Sequence, residues 1–417
     1  MITNPRLLDC RGLCLVWIVW CCVSVGKAPT LLAQGIGGGA NYSLLGIGDI
    51  RESLGATFEG MGGTAIGVTS PAALNFSNPA AWSYLRSTRF QTGFTFRQHI
   101  VTSSNGAARQ NNGDAQGFAV GFSIDTSFGM SASFGLIPIS HVNYAFAQQQ
   151  ALYSTRYVGR GGLSQVYLGA SVQPFKNLAV GVSAGYNFGA IVSADSITFN
   201  DGTFISTANA TTITDALSGV SVNSGLQFTG LENWTFGIIA GVSSPLSIRR
   251  EVAYRYIAGV DSVEISTSST VMPLVLGIGI SHTAGRMTLA LDAVTKDFSG
   301  FSYRAQSIGQ FRRSNRVSVG VSYSGSADYN ATFFEQISYN FGAGYHQQYY
   351  QLGSTGIDEV YGAFGMDIPL TRRSYIGVSV TAGSRGTTDN GLVRELFGKA
   401  SFTVNIGEIW FQPFFKE

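Results

Sequence analysis

Charge is scarce in this 417-residue chain. Asp, Glu, Lys and Arg together make up 12%, about half of the ~25% usual in soluble domains. A disordered chain needs low hydrophobicity and high charge, and a coiled coil or helical array is rich in Ala, Glu, Lys and Leu. With 45% hydrophobic residues, both are excluded. Proline is held to 10 residues, and cysteine is absent after Cys22: Cys10, Cys14, Cys21 and Cys22 are the only four. Beyond Ala33 no stretch of 18 residues is free of polar interruption, which excludes membrane-spanning helices. Only four histidines occur (His99, His141, His282 and His346), none at metal-ligand spacing from another. Neither a metal nor another cofactor is expected.

The cysteines belong to a leader. Arg6 and Arg11 flank the start of an apolar run from Leu13 to Val25, and Leu31-Leu32-Ala33-Gln34 places a small residue before a polar one. This is the layout of a secretory signal peptide, with cleavage expected after Ala33. The alternative of an uncleaved helical anchor suffers from a run that is short for a span, and Trp20 is too bulky for the residue that precedes a lipoprotein cysteine. The leader carries three basic residues and one acid, so the net charge of +2 falls to zero in the mature chain. No disulfide or thiolate metal site is then available. A neutral chain without basic clusters also lacks the electrostatic footprint of a nucleic-acid binder.

What the chain does have is glycine (53 residues), aromatics (12%) and period-two alternation. From 178 to 188, Leu178, Val180, Val182, Ala184, Tyr186 and Phe188 share one face, and Ala179, Gly181, Ser183, Gly185 and Asn187 the other. The pattern recurs at Phe118/Val120/Phe122/Ile124, Trp234/Phe236/Ile238, Leu274/Leu276/Ile278/Ile280, Met287/Leu289/Leu291 and Val317/Val319/Val321/Tyr323. Strict alternation reads as strand. A soluble sandwich would carry charge on its outer face, whereas here the second face is Gly, Ser, Thr and Asn. A transmembrane β-barrel has apolar residues toward lipid and small polar ones toward the lumen, and its closed ladder leaves no edge in hydrocarbon.

The connections alternate in length. Six short turns (Thr126–Phe128, Pro174–Asn177, Gly230–Asn233, His282–Arg286, Gly325–Tyr329 and Leu370–Arg373) separate seven longer polar segments. The long ones are Thr102–Asp114, Gln149–Gly162, Phe199–Leu217, Ile257–Ser262, Phe298–Arg313, Gln347–Thr355 and Ser384–Val393. Thirteen connections predict an all-β, antiparallel barrel of about 14 strands over 88–417, with periplasmic turns and extracellular loops. Phe128, Phe175, Trp234, Tyr329 and Tyr375 beside the short turns are expected to form an interfacial girdle. Residues 34–87, rich in Gly and Ala, stand outside the pattern and suit a plug inside the lumen.

Within that segment, Gly46-Ile47-Gly48-Asp49-Ile50, Gly60-Met61-Gly62-Gly63-Thr64-Ala65-Ile66 and Ser77-Asn78-Pro79-Ala80-Ala81 resemble the N-terminal hatch of FadL-type outer-membrane transporters, in their Bacteroidetes-like branch. Ser133–Ser140 and the ending around Asn405 and Trp410-Phe411 are also similar to that branch. The chain departs from it after Trp-Phe, where Gln412-Pro413-Phe414-Phe415-Lys416-Glu417 stands in place of a basic tail. The resemblance implies a fourteen-stranded plugged barrel in the bacterial outer membrane that passes hydrophobic small molecules such as long-chain fatty acids, with sideways release through a gap in the third strand. Its partners would be those molecules, outer-membrane lipid and the barrel-assembly machinery; no nucleic acid is expected, and the barrel should be a monomer.

The candidate residues follow. Asn78, Pro79 and Ala80 define a tight turn, since Asn bonds its own backbone and Pro fixes φ; by analogy this turn anchors or gates the hatch. Gly135 and Pro138 mark a candidate lateral gate, because proline cannot donate a ladder hydrogen bond. Alternation turns Arg97, His99, Asp292 and Lys399 toward the lumen, where they pair with the plug or contact a ligand. Gly181-Val182-Ser183-Ala184-Gly185 matches an esterase signature but lies within the clearest strand of the chain, so no catalysis is expected. Two classes remain beside transport: a barrel that binds protein partners as a scaffold or shuttle, and an outer-membrane lipid hydrolase, which lacks a convincing Ser/His pair.

Overall fold

The computed structural model describes residues 39–52, 54–103, 106–199, 207–255, 261–304, 309–328 and 330–409. The leader, its cysteines, the cleavage site, Tyr329 and the C-terminal Trp410–Glu417 lie outside them. Fourteen wall strands close one antiparallel barrel. They are β1 Thr88–Ser103, β2 Gly106–Asp125, β3 in two pieces (Met130–Pro138 and Ser140–Gln149), β4 Tyr153–Phe175, β5 Leu178–Phe199 and β6 Thr207–Leu231. Next come β7 (Trp234–Ser243 and Leu246–Arg255), β8 (Asp261–Thr270 and Val275–Ala284), β9 Met287–Asp297 and β10 (Gly309–Phe311 and Arg313–Tyr323). The last are β11 Ser338–Leu352, β12 Thr355–Pro369, β13 Tyr375–Gly386 and β14 Arg394–Glu408. An unbroken ladder from Arg394↔Thr102 to Glu408↔Thr88 joins β14 to β1.

The predicted alternation decides which face is which. In β5, Val182 and Tyr186 are 50% and 52% exposed, while Ala179, Ser183 and Asn187 between them are buried. Phe94, Phe134, Leu168, Ile238, Leu291 and Phe402 are exposed around the outside, and Ser131, Ser379, Ser401, Thr403 and Asn405 are buried inside. This inside-out distribution is stable only when hydrocarbon replaces water around the wall. Ser183 of the esterase-like string faces inward in mid-strand, opposite Gly169 and Asn223.

Two features depart from the sequence reading. The outer connections are shorter than expected, because β2, β4, β6 and β11 run on into the polar segments. A strand crosses the bilayer in about 9–11 residues, yet β4, β5 and β6 have 23, 22 and 25. Above the membrane a strand needs no apolar face, so these extensions lacked the period-two signal. On the periplasmic side, 324–337 forms a longer turn than Gly325–Tyr329. It holds a one-turn helix, α2 Phe333–Gln336, with a Thr332/Glu335 capping box. Phe128, Phe175 and Trp234 are exposed beside the short turns. Tyr375, in contrast, points into the barrel, where its hydroxyl meets Thr57 and accepts from Asn405; hydrogen-bonding partners inside outweigh the interface for a phenol.

Residues 39–87 contain two 3₁₀ turns (Asn41–Leu44 and Pro79–Tyr84), a two-residue strand Asp49–Ile50 and the short helix α1 Ala56–Gly60. Most of this segment is buried. Glycine permits the close approach: a Cβ on Gly60 would stand 2.8 Å from Gly365 Cα in β12, and Gly62, at φ +68, would place one 2.9 Å from Ala343 N in β11.

Candidate functional site

The N-terminal segment runs around the inner wall and engages one strand after another. Asn41 N donates to Glu395 of β14 (2.7 Å), and the Tyr349 hydroxyl of β11 donates toward Leu45 O (3.0 Å) and Gly48 O (2.8 Å). Thr57 Oγ1 donates to Asp367 of β12 (2.8 Å), and Tyr361 Oη donates to Gly62 O (3.0 Å). Asp292 of β9 accepts from the backbone nitrogens of Ala65 (2.6 Å) and Ile66 (2.8 Å). Gln227 of β6 and Ser281 of β8 donate to Ile66 O (2.9 Å) and Gly67 O (2.7 Å). Backbone groups that no regular structure satisfies are therefore answered by wall side chains, as buried amides require.

Asn78, Pro79 and Ala80 close this circuit. Asn78 is fully buried; its Oδ1 accepts from Ala80 N (3.0 Å), and its Nδ2 donates to Ile66 O (2.9 Å) and to Leu226 O of β6 (3.2 Å). Pro79 opens the 3₁₀ turn, where its missing N–H is no loss. The turn lies against Gly181 and Gly225, which have no room for a Cβ.

The buried charges form a second layer. Arg385 of β13 donates to Glu395 (2.6 Å) and Asp49 (2.8 Å), and stands 3.9 Å from Glu359. Lys296 holds Glu52 (2.7 Å), and Lys399 holds Glu59 (3.2 Å). Arg97 pairs with Asp114 of β2 (3.2 Å), and His99 lies 3.8 Å from Glu395. Of the four lumen charges read from the sequence, Arg97, His99 and Lys399 line one cavity of about 140 Å³. Asp292 lies apart, at the backbone nitrogens of Ala65 and Ile66. Nine of the nineteen residues that line the cavity are charged, Asp49, Glu52, Glu59 and Arg385 among them. Nearer the extracellular mouth, Phe298, Phe301 and Tyr303 fold inward onto Tyr349 and Tyr350. Phe298 stacks on Tyr349 at 4.5 Å, and Tyr303 donates to Asp215 (2.7 Å).

The third strand is interrupted between its two pieces. Its ladder with β2 ends at Phe118↔Leu136. Residues 106–115 of β2 then pair with β1 alone, while the outer piece of β3 pairs with β4 and with the strand Asp49–Ile50. Two residues make the break. Gly117, at φ +76 beside Leu136 O, lies in a bulge opposite Gly93 that turns β2 away. Ile139 N donates to Leu163 O of β4 (2.8 Å), so the nitrogen of Pro138 faces the side where no acceptor remains. Side chains span the seam. Arg51 reaches Asp114, Asn112 meets His141 (2.6 Å), and Gln110 Nε2 donates to Ala145 O (3.3 Å). Gly135 lies just below the seam, where a Cβ would meet the β2 backbone. Asp114 and Arg385, which organise the lumen, were not singled out in the sequence; a charge isolated within a weakly charged strand was the available signal.

A family model described as BamG matches residues 15–414. The chain belongs to the BamG family. No curated protein matches it. Among solved structures, this BamG-family barrel is similar to the Pseudomonas putida toluene transporter TodX (17% identity, TM-score 0.56, covering 87% of this chain and 100% of that one). It is likewise similar to the Ralstonia pickettii toluene transporter TbuX (15%, 0.54, 85% and 98%) and to a Pseudomonas aeruginosa FadL homologue (9%, 0.55, 86% and 98%). At these identities the likeness is one of fold. The BamG-family chain thus has the FadL-type fold that its N-terminal motifs resembled, and its place is the bacterial outer membrane.

Proposed function

We propose that this BamG-family barrel works with its lumen shut, as an outer-membrane platform for protein partners. The observation that carries this reading is the chemistry of the interior. An apolar ligand calls for a mostly apolar pocket of about 300–1,000 Å³. Here the cavity is about 140 Å³ and lined by charges that already pair across the N-terminal segment. Moving that segment aside would strand several buried charges at once, each at a cost of several kcal/mol. The extended strands β4 to β6 supply surface beyond the membrane. On this reading the partners are lipid along the apolar band and other envelope proteins, the barrel-assembly machinery among them.

The broken third strand favours a second reading, in which hydrophobic small molecules such as fatty acids pass inward and leave sideways near Gly135 and Pro138. The anchor turn Asn78–Ala80 and the lumen charges Arg97, His99, Asp292 and Lys399 would then act as gate and ligand contacts. One experiment separates the two. Thr64 Oγ1 and Ser318 Oγ lie 3.3 Å apart, so a T64C/S318C disulfide ties the N-terminal segment to β10 in a mature chain free of other thiols. The oxidised barrel should complement a deletion strain as well as the reduced one, and uptake of toluene and oleate should not change. Loss of uptake on oxidation, restored by reductant, would establish the conduit instead.

A further inference from the structure

Two residues are enough to join β4 to β5, β6 to β7 and β8 to β9 on the periplasmic side. The connection from β10 to β11 instead takes the fourteen residues 324–337. Its two ends are tied to each other. Ser326 N donates to Glu335 O (2.6 Å), Gly325 N donates to Ser338 Oγ (2.9 Å), and Gly325 passes so close to Gln336 O that a Cβ has no room. The Glu335 carboxylate turns back onto Thr332 N and Oγ1 (2.7 Å each). Ile337 behind the helix is buried, whereas Phe333 and Phe334 of α2 are 39% and 64% exposed, their rings edge to face at 5.6 Å. A turn that only reverses the chain has no use for such a pair.

Two side chains fix which side of the wall carries it. Tyr339 shares the lipid face of β11 with Phe341, and its hydroxyl donates to Phe334 O (3.2 Å). Arg286, in the β8–β9 turn, holds its guanidinium 4.6 Å over the ring of Tyr323, the last lipid-facing residue of β10. The same guanidinium donates to Ser324 O (2.7 Å) and Glu335 O (2.9 Å). A one-turn helix does not stand alone, and both of these ties come from the outer face of the barrel. The phenylalanines therefore continue the apolar band of Met287, Tyr323 and Phe341. We propose that α2 is a foot embedded in the periplasmic leaflet of the outer membrane, with Phe333 and Phe334 among the acyl chains. Its occupant is lipid because the surface is continuous with the band that lipid already covers, and Phe is a residue that interfacial helices bury. The foot fixes the depth of the barrel on this side whether the lumen is shut or conducts.

A spin-label depth measurement tests this, because a chain expressed from Gln34 onward has no cysteine of its own. Phe334→Cys, carrying a nitroxide, is reconstituted in vesicles of phosphatidylethanolamine and phosphatidylglycerol. Collisions with oxygen, which gathers in the acyl chains, are compared with collisions with a water-soluble nickel chelate. The label should lie about 5–10 Å inside the boundary between headgroups and chains, with oxygen the dominant partner. Phe333→Cys gives an independent reading should the first variant not fold. A label at Pro71, exposed in the N-terminal segment, supplies the value for water. Nickel collisions at 334 as frequent as at Pro71 overturn the proposal. So does a label that meets the chelate in pure lipid but is shielded from both reagents in native outer-membrane vesicles, since a protein then covers the helix.

Discussion

Two parts of the same wall solve one problem differently. From β4 round to β14 each strand finds its neighbour's backbone within the inner part of the wall, and there the ladder satisfies the polar groups. Between β2 and the outer piece of β3 the ladder stops, and Arg51, Gln110, Asn112 and Asp114 take over. Backbone pairing is indifferent to side-chain identity, so most of the wall tolerates substitution provided alternation is kept. The seam depends on particular side chains, one of which arrives from the N-terminal segment. A barrel closed in this way is held at this line in part by the N-terminal segment.

The largest test removes one residue that ties that segment to the wall. Arg385→Ala leaves Asp49, Glu395 and Glu359 without their shared cation, and breaking one buried pair typically costs about 3–5 kcal/mol. The variant should unfold at markedly lower denaturant concentration, and the folded fraction should conduct small ions across planar bilayers. An unchanged midpoint with no conductance would mean that the remaining contacts, among them the hydrogen bonds that Asp292 accepts and Tyr349 donates, hold the segment without Arg385.

Arg51→Ala should act more locally. Asp114 keeps Arg97 as its remaining partner, so the loss is about 1 kcal/mol, the scale of one hydrogen bond. The change should appear at the seam. A cysteine at Asn112 should become reactive to a membrane-impermeant maleimide, and one at Ser379, inside the full ladder, should not. Equal reactivity at both positions would remove the distinction between seam and wall.

That distinction was partly readable in the chain. Alternation through 178–188 revealed the strand and its lipid face, because side-chain period and sheet pleat are the same physical fact. Pro138 marked the third strand for a similar reason, since one atom's missing hydrogen is visible in the sequence. The seam's partners were not legible. Arg51 and Asp114 are 63 residues apart, and Asp49 and Arg385 are 336 apart; only the closed barrel brings them together. Tyr375 misled because an aromatic beside a short turn has the same sequence signature whether it faces lipid or lumen. The outer parts of β2 and β6 read as loops because Gly, Asn and Thr in water carry no hydrophobic period.

Pro138→Val gives the smallest effect and the finest test of the comparison. In a complete ladder, replacing proline restores a donor and gains about 1 kcal/mol. At the seam the new N–H faces β2 beyond Leu136, where no carbonyl waits, so stability should move by less than about 0.5 kcal/mol. If the valine variant instead gains a full hydrogen bond's worth, β2 can approach β3 and the seam is a soft closure that proline keeps from zipping. In that event uptake of toluene or oleate should fall with the same substitution, which would favour the lateral-gate reading of Gly135 and Pro138. Unchanged uptake with unchanged stability leaves Pro138 as a residue placed where its missing donor costs nothing.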